Sequence, residues 1–318
     1  MKLGMVFPGQ GSQSVGMLKG YAGLPEIDAV RAEAAAVLGS DFLTILDQGP
    51  AEQLNLTVNT QPAMVTAAIA AYRAWRALGG PVPAVVAGHS LGEYAALVAA
   101  GAIALREALP LVRFRARSMQ EAVPEGQGAM AAILGLDDDA ARAACAEAQR
   151  GGNAGETVQA VNFNAPGQVV IAGHKSAVAR AIEACMARGA KRALPLPVSA
   201  PFHSSLMQPA ADKLRVYLEK VLLSKPAIPV INNVDVKIET GPAAIKDALV
   251  RQAASPVRWA ETIRQMAAQG VTHVVECGPG RVLAGLVKRI DPQLQGIAAA
   301  ERVSLEQALA TLATREGG

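Results

Sequence analysis

Ser90 lies in the segment GHSLG at positions 88–92, which has the G-x-S-x-G spacing. This pattern is typical of a nucleophile elbow, a tight turn between a strand and a helix that exposes a serine hydroxyl. Glycines flank such a serine because side chains there would collide with the neighbouring strand or helix. The apolar segment 84–87 and a helical pattern from Leu91 favour the elbow over a serine that only caps a helix. In an elbow, the Leu91 backbone N–H supplies half of an oxyanion hole.

A nucleophilic serine needs a general base, and the sequence contains four histidines. His89 adjoins Ser90, and adjacent side chains in an extended segment point to opposite faces, so we interpret it as a packed residue bracing the elbow. We interpret His174 as a surface residue near a helix N-terminus and His273 as a core residue of an apolar strand. His203 lies in a loop before a helix, and loops often carry catalytic groups. His203 is therefore the predicted base.

An acidic third member of a hydrolase triad is not evident. An α/β-hydrolase usually places this acid between the serine and the histidine in sequence. The acids in that interval, among them 137–139, Glu147 and Glu156, have the pattern of solvated residues. None of them stands alone at the end of an apolar strand, which argues against an ordinary esterase.

The composition indicates a globular α/β protein with a large core. Of 318 residues, 51% are hydrophobic and 18% charged, and the abundant alanine favours close helix packing. Only 3% are aromatic and the net charge is +3, which argues against nucleic-acid binding. No apolar stretch is long and uncharged enough to suggest a membrane span.

The cysteines and the first residues point to a reducing compartment. Cys145, Cys185 and Cys277 lie far apart, so they form neither a metal-binding pair nor an even set for disulfides. The apolar run near the N-terminus is too short for a signal peptide. We therefore expect a cytoplasmic protein without a bound metal.

Strands alternate with helices along most of the chain, which predicts a mainly parallel sheet with helices on both faces. The apolar runs 3–7, 84–87 and 271–276 are the expected strands, and each is followed by glycine-containing turns. Together with the elbow, this pattern indicates an α/β fold whose large domain has an α/β-hydrolase-like core.

Residues 127–198 have a different pattern. A strand, a helix, two strands joined by a turn at 164–167, a second helix and a last strand follow one another within about 70 residues, as in ferredoxin-like βαββαβ units. The sequence therefore predicts a small ferredoxin-like domain at 127–198, inserted into a discontinuous large domain formed by 1–126 and 199–318.

Six motifs occur in register along nearly the whole chain. They are FPGQGSQ at 7–13, GHSLGE at 88–93, MQ at 119–120, NFNAPGQ at 162–168, SAPFHS at 199–204 and ECGPG at 276–280. In these motifs the chain closely resembles the bacterial malonyl-CoA:acyl carrier protein transacylases of type II fatty acid synthesis. Six motifs in order are far more specific than the elbow alone.

The resemblance implies a ping-pong acyl transfer that uses no metal or redox cofactor. Ser90 would carry the malonyl group between coenzyme A and the phosphopantetheine thiol of acyl carrier protein, with His203 as base. Members of the family orient this histidine through a main-chain carbonyl near a glutamine, which matches Gln252 and agrees with the missing acid. The second oxyanion donor would be the backbone N–H of Gln10; without the resemblance, its turn would be interpreted as an ordinary tight turn.

A free carboxylate on the donor calls for an arginine, whose planar fork binds carboxylates through two hydrogen bonds. In the predicted helix 105–123, Arg113 and Arg115 flank the apolar stripe on opposite sides, and spacing alone does not choose between them. The resemblance, counted back from the motif at 119–120, selects Arg115. It also implies that Phe202, the residue before the histidine, accompanies use of malonyl rather than methylmalonyl groups.

The expected partners are malonyl-CoA and acyl carrier protein, which is acidic across the family, and the chain is expected to act as a monomer. We expect docking to use lysines and arginines at the mouth of the site; the candidates are Arg188, Lys191, Arg192, Arg281, Lys288 and Arg289. Three alternatives stay open: a serine thioesterase or hydrolase, an acyltransferase of a polyketide pathway, and a non-catalytic scaffold that binds the carrier.

Overall fold

The computed structural model describes residues 1–198 and 200–313, which form two separate β-sheets with helices packed on them. The strands of this described part are β1 Leu3–Phe7, β2 Val85–Gly88, β3 Gly128–Leu134, β4 Val158–Ala165, β5 Gln168–His174, β6 Arg192–Pro195, β7 Val230–Ile231, β8 His273–Cys277 and β9 Gln295–Ala299.

The α-helices of the same part are α1 Pro25–Leu38, α2 Ser40–Gln48, α3 Ala51–Asn55, α4 Thr57–Ala77, α5 Gly92–Ala99, α6 Leu105–Glu121, α7 Asp138–Arg150, α8 Lys175–Ala187, α9 Gln208–Glu219, α10 Pro242–Ala253, α11 Trp259–Ala268, α12 Val282–Ile290 and α13 Arg302–Ala313. No helix in the described ranges has the length and hydropathy needed to cross a membrane.

The larger sheet has the strand order β7-β2-β1-β8-β9, and all of its pairings are parallel. This confirms the mainly parallel sheet flanked by helices. Phe7 pairs with Gly88, so β1 and β2 end side by side. The turn after β1 and the segment after β2 therefore leave the sheet at the same edge, which is where ligands bind in parallel α/β sheets.

The alternation of side chains divides the core of this sheet between two faces. Met5 and Phe7 of β1 pack in the core that contains α4, α5 and α6. Val6 between them packs in the opposite core, which contains Trp259 of α11 and Leu286 of α12. Since both faces are covered, the strands are apolar along their whole length, as the sequence indicated.

The smaller sheet has the order β4-β5-β3-β6 with antiparallel pairings. Its elements follow the order β3-α7-β4-β5-α8-β6, and α7 and α8 pack on one face. The other face carries Met130, Val161 and Val170, which pack against Phe202. Assignment of 127–198 as a domain of its own stays a prediction, and Ser199 at its proposed boundary lies outside the described residues.

Several elements were missed from the sequence. Helices α2 and α3 were not predicted. Helix α4 begins at Thr57 rather than near position 63, because polar residues of its first turns are buried and form hydrogen bonds with the backbone. Thr60 Oγ1, for example, donates to the Leu54 carbonyl oxygen at 2.6 Å. Strands β7 and β9 are the two edge strands of the larger sheet. Because β7 has only two residues and β9 is half-buried, neither gives a clear strand pattern in the sequence.

The turn between β2 and α5 is as tight as the spacing predicted. A Cβ atom on Gly88 would overlap the backbone of Gly92, and a Cβ atom on Gly92 would overlap the carbonyl oxygen of Phe7. Ser90 between them has φ of 52°, a left-handed conformation uncommon for residues other than glycine. Packing of helix α5 onto the ends of β1 and β2 therefore excludes a side chain at either glycine.

We expect Gly92→Ala to destabilise the protein by at least about 3 kcal/mol, because its methyl group would meet rigid backbone. The matched control is Gly285→Ala, since Gly285 lies within α12 and a Cβ there meets no atom within 4 Å. The control should be neutral or stabilise by up to about 1 kcal/mol. Urea denaturation measures both, and equal free energies of unfolding would contradict the expected collision.

Candidate active site

Ser90 is held at the exposed end of the turn by a side chain from the loop after β7. Its backbone N–H donates to Asn233 Oδ1 at 2.7 Å, and Asn233 Nδ2 donates to the Gly88 carbonyl oxygen at 2.7 Å. The asparagine thus bonds to both sides of the turn and stabilises the left-handed backbone at Ser90. The serine side chain is left free to face the cleft.

Ser90 and His203 form a hydrogen-bonded pair. Ser90 Oγ lies 2.7 Å from His203 Nε2, and His203 Nδ1 lies 2.9 Å from the Gln252 carbonyl oxygen. A carbonyl oxygen only accepts, so Nδ1 carries the proton and Nε2 is free to accept from the serine hydroxyl. His203, the histidine chosen from the sequence, therefore lies in hydrogen-bond contact with Ser90, although the two are 113 positions apart.

The electrostatic environment keeps His203 neutral. The side chain is 3% exposed, and burial together with the nearby Arg115 charge lowers the pKa of His203 to about 3. The Gln252 carbonyl opposes this shift, but more weakly. At neutral pH the imidazole is therefore the unprotonated form that a general base requires.

The other three histidines do not contact the Ser90 hydroxyl within the described residues. His89 Nε2 lies 2.8 Å from Asn164 Oδ1, and its ring packs 5.4 Å from that of Trp259, as expected for a residue bracing the elbow. His174 Nδ1 accepts from the Thr157 backbone N–H, and His273 is buried in β8.

Arg115 reaches the pair from α6, whereas Arg113 does not. Arg115 is 1% exposed; its guanidinium donates to Gln61 Oε1 at 2.8 Å, to Gln252 Oε1 at 2.9 Å and to Ser90 Oγ at 3.2 Å. Arg113 instead donates to the Leu38 carbonyl oxygen at 3.3 Å. Of the two arginines that helical spacing left open, Arg115 contacts Ser90, whereas Arg113 bonds to a carbonyl oxygen outside the site.

Within the described residues no carboxylate forms an ion pair with Arg115, although the Glu93 carboxyl group is close enough to raise the pKa of Arg115. Its three recorded acceptors are neutral oxygens, and its Nε has no hydrogen-bond partner. Burial lowers the pKa of Arg115, which reflects the cost of keeping this charge away from water. An anionic group that entered the cleft would be stabilised here.

Three polar residues that complete the site were missed from the sequence. Glu93 is 2% exposed, and its Oε2 accepts from the Asn233 backbone N–H and from Gln252 Nε2, each at 2.9 Å. Burial raises the pKa of Glu93 to about 7, while these hydrogen bonds oppose the shift. Gln61 and Asn233 come from α4 and from the loop after β7. No local pattern marks them, because they reach the site only through the tertiary fold.

The cleft beside Ser90 has a polar end and an apolar wall. The polar end is lined by Gln10 and Leu91 together with Ser90, Arg115 and His203. The apolar wall is formed by Met119, Met130, Leu196, Val198 and Phe202. In the described part of the chain, neither the Gln10 nor the Leu91 backbone N–H donates a hydrogen bond. Two free N–H groups next to a nucleophile are the elements of an oxyanion hole.

The loop that carries Gln10 packs directly on the elbow. A Cβ atom on Gly9 would lie 2.7 Å from the His89 carbonyl oxygen, so only glycine permits this approach. The close contact follows from the adjacent ends of β1 and β2. In residues 1–198 and 200–313, no cluster of three or more histidine, cysteine or acidic side chains could hold a metal ion.

The family model described as "Acyl transferase domain" matches residues 5–309. The malonyl CoA-acyl carrier protein transacylase of Escherichia coli K12 is 57% identical over 305 residues, which cover 96% of this chain and 97% of that protein. The protein of the same name from Bacillus subtilis is 45% identical and covers 98% and 97% of the two chains.

Solved structures agree with these relatives. The acyl-carrier-protein S-malonyltransferase of Burkholderia pseudomallei is 62% identical and has a TM-score of 0.94, covering 98% of this chain and all of that one. A malonyl-transacylase in complex with its type II PKS acyl-carrier protein is 52% identical, with a TM-score of 0.95 and the same coverage. The chain therefore belongs to the acyl transferase family, among the malonyl CoA-acyl carrier protein transacylases.

Proposed function

We propose that this protein transfers a malonyl group from malonyl-CoA to the phosphopantetheine thiol of acyl carrier protein. The observation that carries this proposal is the position of Ser90 Oγ, 2.7 Å from His203 Nε2 and 3.2 Å from the Arg115 guanidinium. A base on one side activates the hydroxyl, and a cation on the other side attracts a carboxylate. The relatives, which are malonyl CoA-acyl carrier protein transacylases, support the same activity.

In the first half of the cycle, His203 Nε2 takes the proton of the Ser90 hydroxyl while the oxygen attacks the thioester carbonyl of malonyl-CoA. The Gln10 and Leu91 N–H groups bind the negative oxygen that develops. The carbon–sulfur bond then breaks, and His203 returns the proton to the leaving thiolate. The products are malonyl-Ser90 and free coenzyme A.

In the second half, the carrier's thiol gives its proton to His203, and the sulfur attacks the malonyl ester. The Ser90–acyl bond breaks, and the proton returns from His203 to the Ser90 oxygen. The two thioesters are similar in energy, so the enzyme has only to lower the barriers in both directions. The proposed cycle uses no cofactor, because His203 carries the proton and Ser90 carries the acyl group in both halves.

Arg115 is proposed to bind the malonyl carboxylate, because its buried charge lacks an acidic partner among the described residues. Gln252 is proposed to hold Arg115 through its side chain and to orient His203 through its carbonyl oxygen. Phe202, which packs between the small sheet and α6, is proposed to crowd a methyl branch on the donor.

The protein is proposed to act as a cytoplasmic monomer, with acyl carrier protein docking at the cleft mouth. All six basic candidates are exposed, and Arg281, Lys288 and Arg289 belong to or adjoin α12, whose residue Val282 lines a pocket together with Gln10. Arg188 is less available, because it pairs with Glu147 across α7 and α8. A related malonyl-transacylase has been solved in complex with a type II PKS acyl-carrier protein. Malonyl transfer to a carrier of polyketide synthesis is therefore a second candidate function for this protein.

The transferase and hydrolase alternatives differ in how coenzyme A release depends on the acceptor. We expect one equivalent of coenzyme A to be released rapidly from malonyl-CoA without carrier protein, followed by slow hydrolysis, and multiple turnovers only when the carrier is added. Rapid multiple turnovers without carrier would instead identify a thioesterase.

The same samples, analysed by mass spectrometry, should show a malonyl adduct that is absent from Ser90→Ala. In His203→Ala, acylation should fall by about 1,000-fold or more, as for other base and nucleophile pairs. A Ser90→Ala protein that still forms the adduct would show that another residue is the nucleophile, and an unmodified wild type would favour a scaffold.

The lowered pKa of His203 predicts that its imidazole stays neutral from pH 8 to pH 5, whereas an unperturbed histidine gains a proton near pH 6.5. Nitrogen-detected NMR of ¹⁵N-histidine-labelled protein measures this directly. The His203→Gln variant assigns the resonance by its loss. A midpoint between pH 6 and 7 for that resonance would contradict the effect of burial and of Arg115.

Arg115→Ala should lower kcat/KM for malonyl-CoA by about 10- to 100-fold, as expected for a lost charged hydrogen bond. Acylation by acetyl-CoA should change little or rise, because that donor has no carboxylate. Arg113→Ala is the matched control on the same helix, and its donor preference should equal that of wild type. Unchanged selectivity in Arg115→Ala would place the carboxylate site elsewhere.

A further inference from the structure

The buried carboxyl group of Glu93 contacts the frame of the site but none of its reacting atoms. It is three residues beyond Ser90 and 2% exposed. Among the described residues its hydrogen-bond donors are the Asn233 backbone N–H and Gln252 Nε2, both 2.9 Å from Oε2. Burying a carboxyl group is costly, and apolar packing alone would not require one at this position.

The contacts of Glu93 fix which way the Gln252 side-chain amide points. Gln252 Nε2 donates to Glu93 and to the Ser90 carbonyl oxygen, while Gln252 Oε1 accepts from Arg115. A flipped amide would set its NH₂ group against the guanidinium and its oxygen against two acceptors. Glu93 therefore favours the one orientation in which Gln252 offers an oxygen to Arg115.

Glu93 achieves this without neutralising Arg115 directly. No ion pair joins them in the described part of the chain, and the guanidinium keeps neutral oxygens as partners. A carboxylate placed against Arg115 itself would occupy the groups that a substrate carboxylate needs. One intervening amide keeps the guanidinium oriented and leaves its charge available.

We propose that Glu93 is a positioning residue for donor selection: through Gln252 it holds Arg115 in the orientation that binds the carboxylate of the malonyl group. This inference rests on the malonyl transfer proposed above. Acetyl-CoA presents no carboxylate to Arg115, so loss of Glu93 affects the malonyl donor more than the acetyl donor. Ser90 and His203 keep their own contact, so both donors still acylate Ser90.

The test compares kcat and KM for acylation by malonyl-CoA and acetyl-CoA in Glu93→Ala, Glu93→Asp and Glu93→Gln. In the alanine and aspartate variants, the malonyl-to-acetyl ratio of kcat/KM should fall about tenfold or more, mainly through KM for malonyl-CoA. Glutamine retains an oxygen that can accept both hydrogen bonds, so Glu93→Gln should keep the ratio within about threefold of wild type. The aspartate variant retains the charge and carries the test if the alanine variant does not fold.

Glu276→Ala is the matched control, because Glu276 is also fully buried but bonds to the Ala284 backbone N–H in α12, away from Arg115. Its donor ratio should equal that of wild type even if its stability falls. An equal loss of both donors in the Glu93 variants, or an unchanged ratio, would overturn the positioning role. Failure of the wild type and of Glu276→Ala to take up malonyl would instead overturn the proposed function.

Discussion

A positive charge buried without a direct ion pair among the described residues governs the arrangement of this site. Arg115 is almost completely removed from water; it donates to amide and hydroxyl oxygens, and its guanidinium lies 5.5 Å from the centre of the Tyr94 ring. Burying a guanidinium without a direct ion pair costs free energy, so the side chains that offer oxygens to it must be held in fixed orientations. The same charge helps to keep His203 unprotonated, which links substrate attraction to the readiness of the base.

The parallel sheet supplies the rigid frame that this charge requires. Because β1 and β2 end in register, the loop with Gln10 and the turn with Ser90 meet at one edge. Glycines at the contacts let backbone touch backbone, so the two free N–H groups are set by the main chain rather than by mobile side chains. The site is thus organised largely before any acyl group arrives, which is how electrostatic stabilisation is most effective.

The contact between Ser90 and His203 was predictable from the sequence, but the hydrogen bonds that support it were not. The glycine spacing around Ser90 and the small number of histidines led to the observed pair. Helical spacing could not separate Arg113 from Arg115, since the choice depends on where α6 lies against α4 and α10. Gln252 came from the resemblance alone.

Gln61, Glu93 and Asn233 illustrate why the rest was missed. They come from separate elements, and only packing of the chain brings them together. The strand pattern succeeded where both faces of the larger sheet were buried and failed at the edges of that sheet, where β7 has two residues and β9 is half-buried. Local periodicity thus reports burial, and it gives no information on which distant residue supplies a hydrogen bond.

Phe202 connects the small sheet to the residue that contacts Ser90. Its ring packs against Met130, Val161 and Val170, while the next residue, His203, bonds to Ser90. Met130 on that face of the small sheet and Phe202 also line the cleft beside Ser90. An exchange on this one surface therefore changes the shape of the cleft without replacing Ser90 or His203.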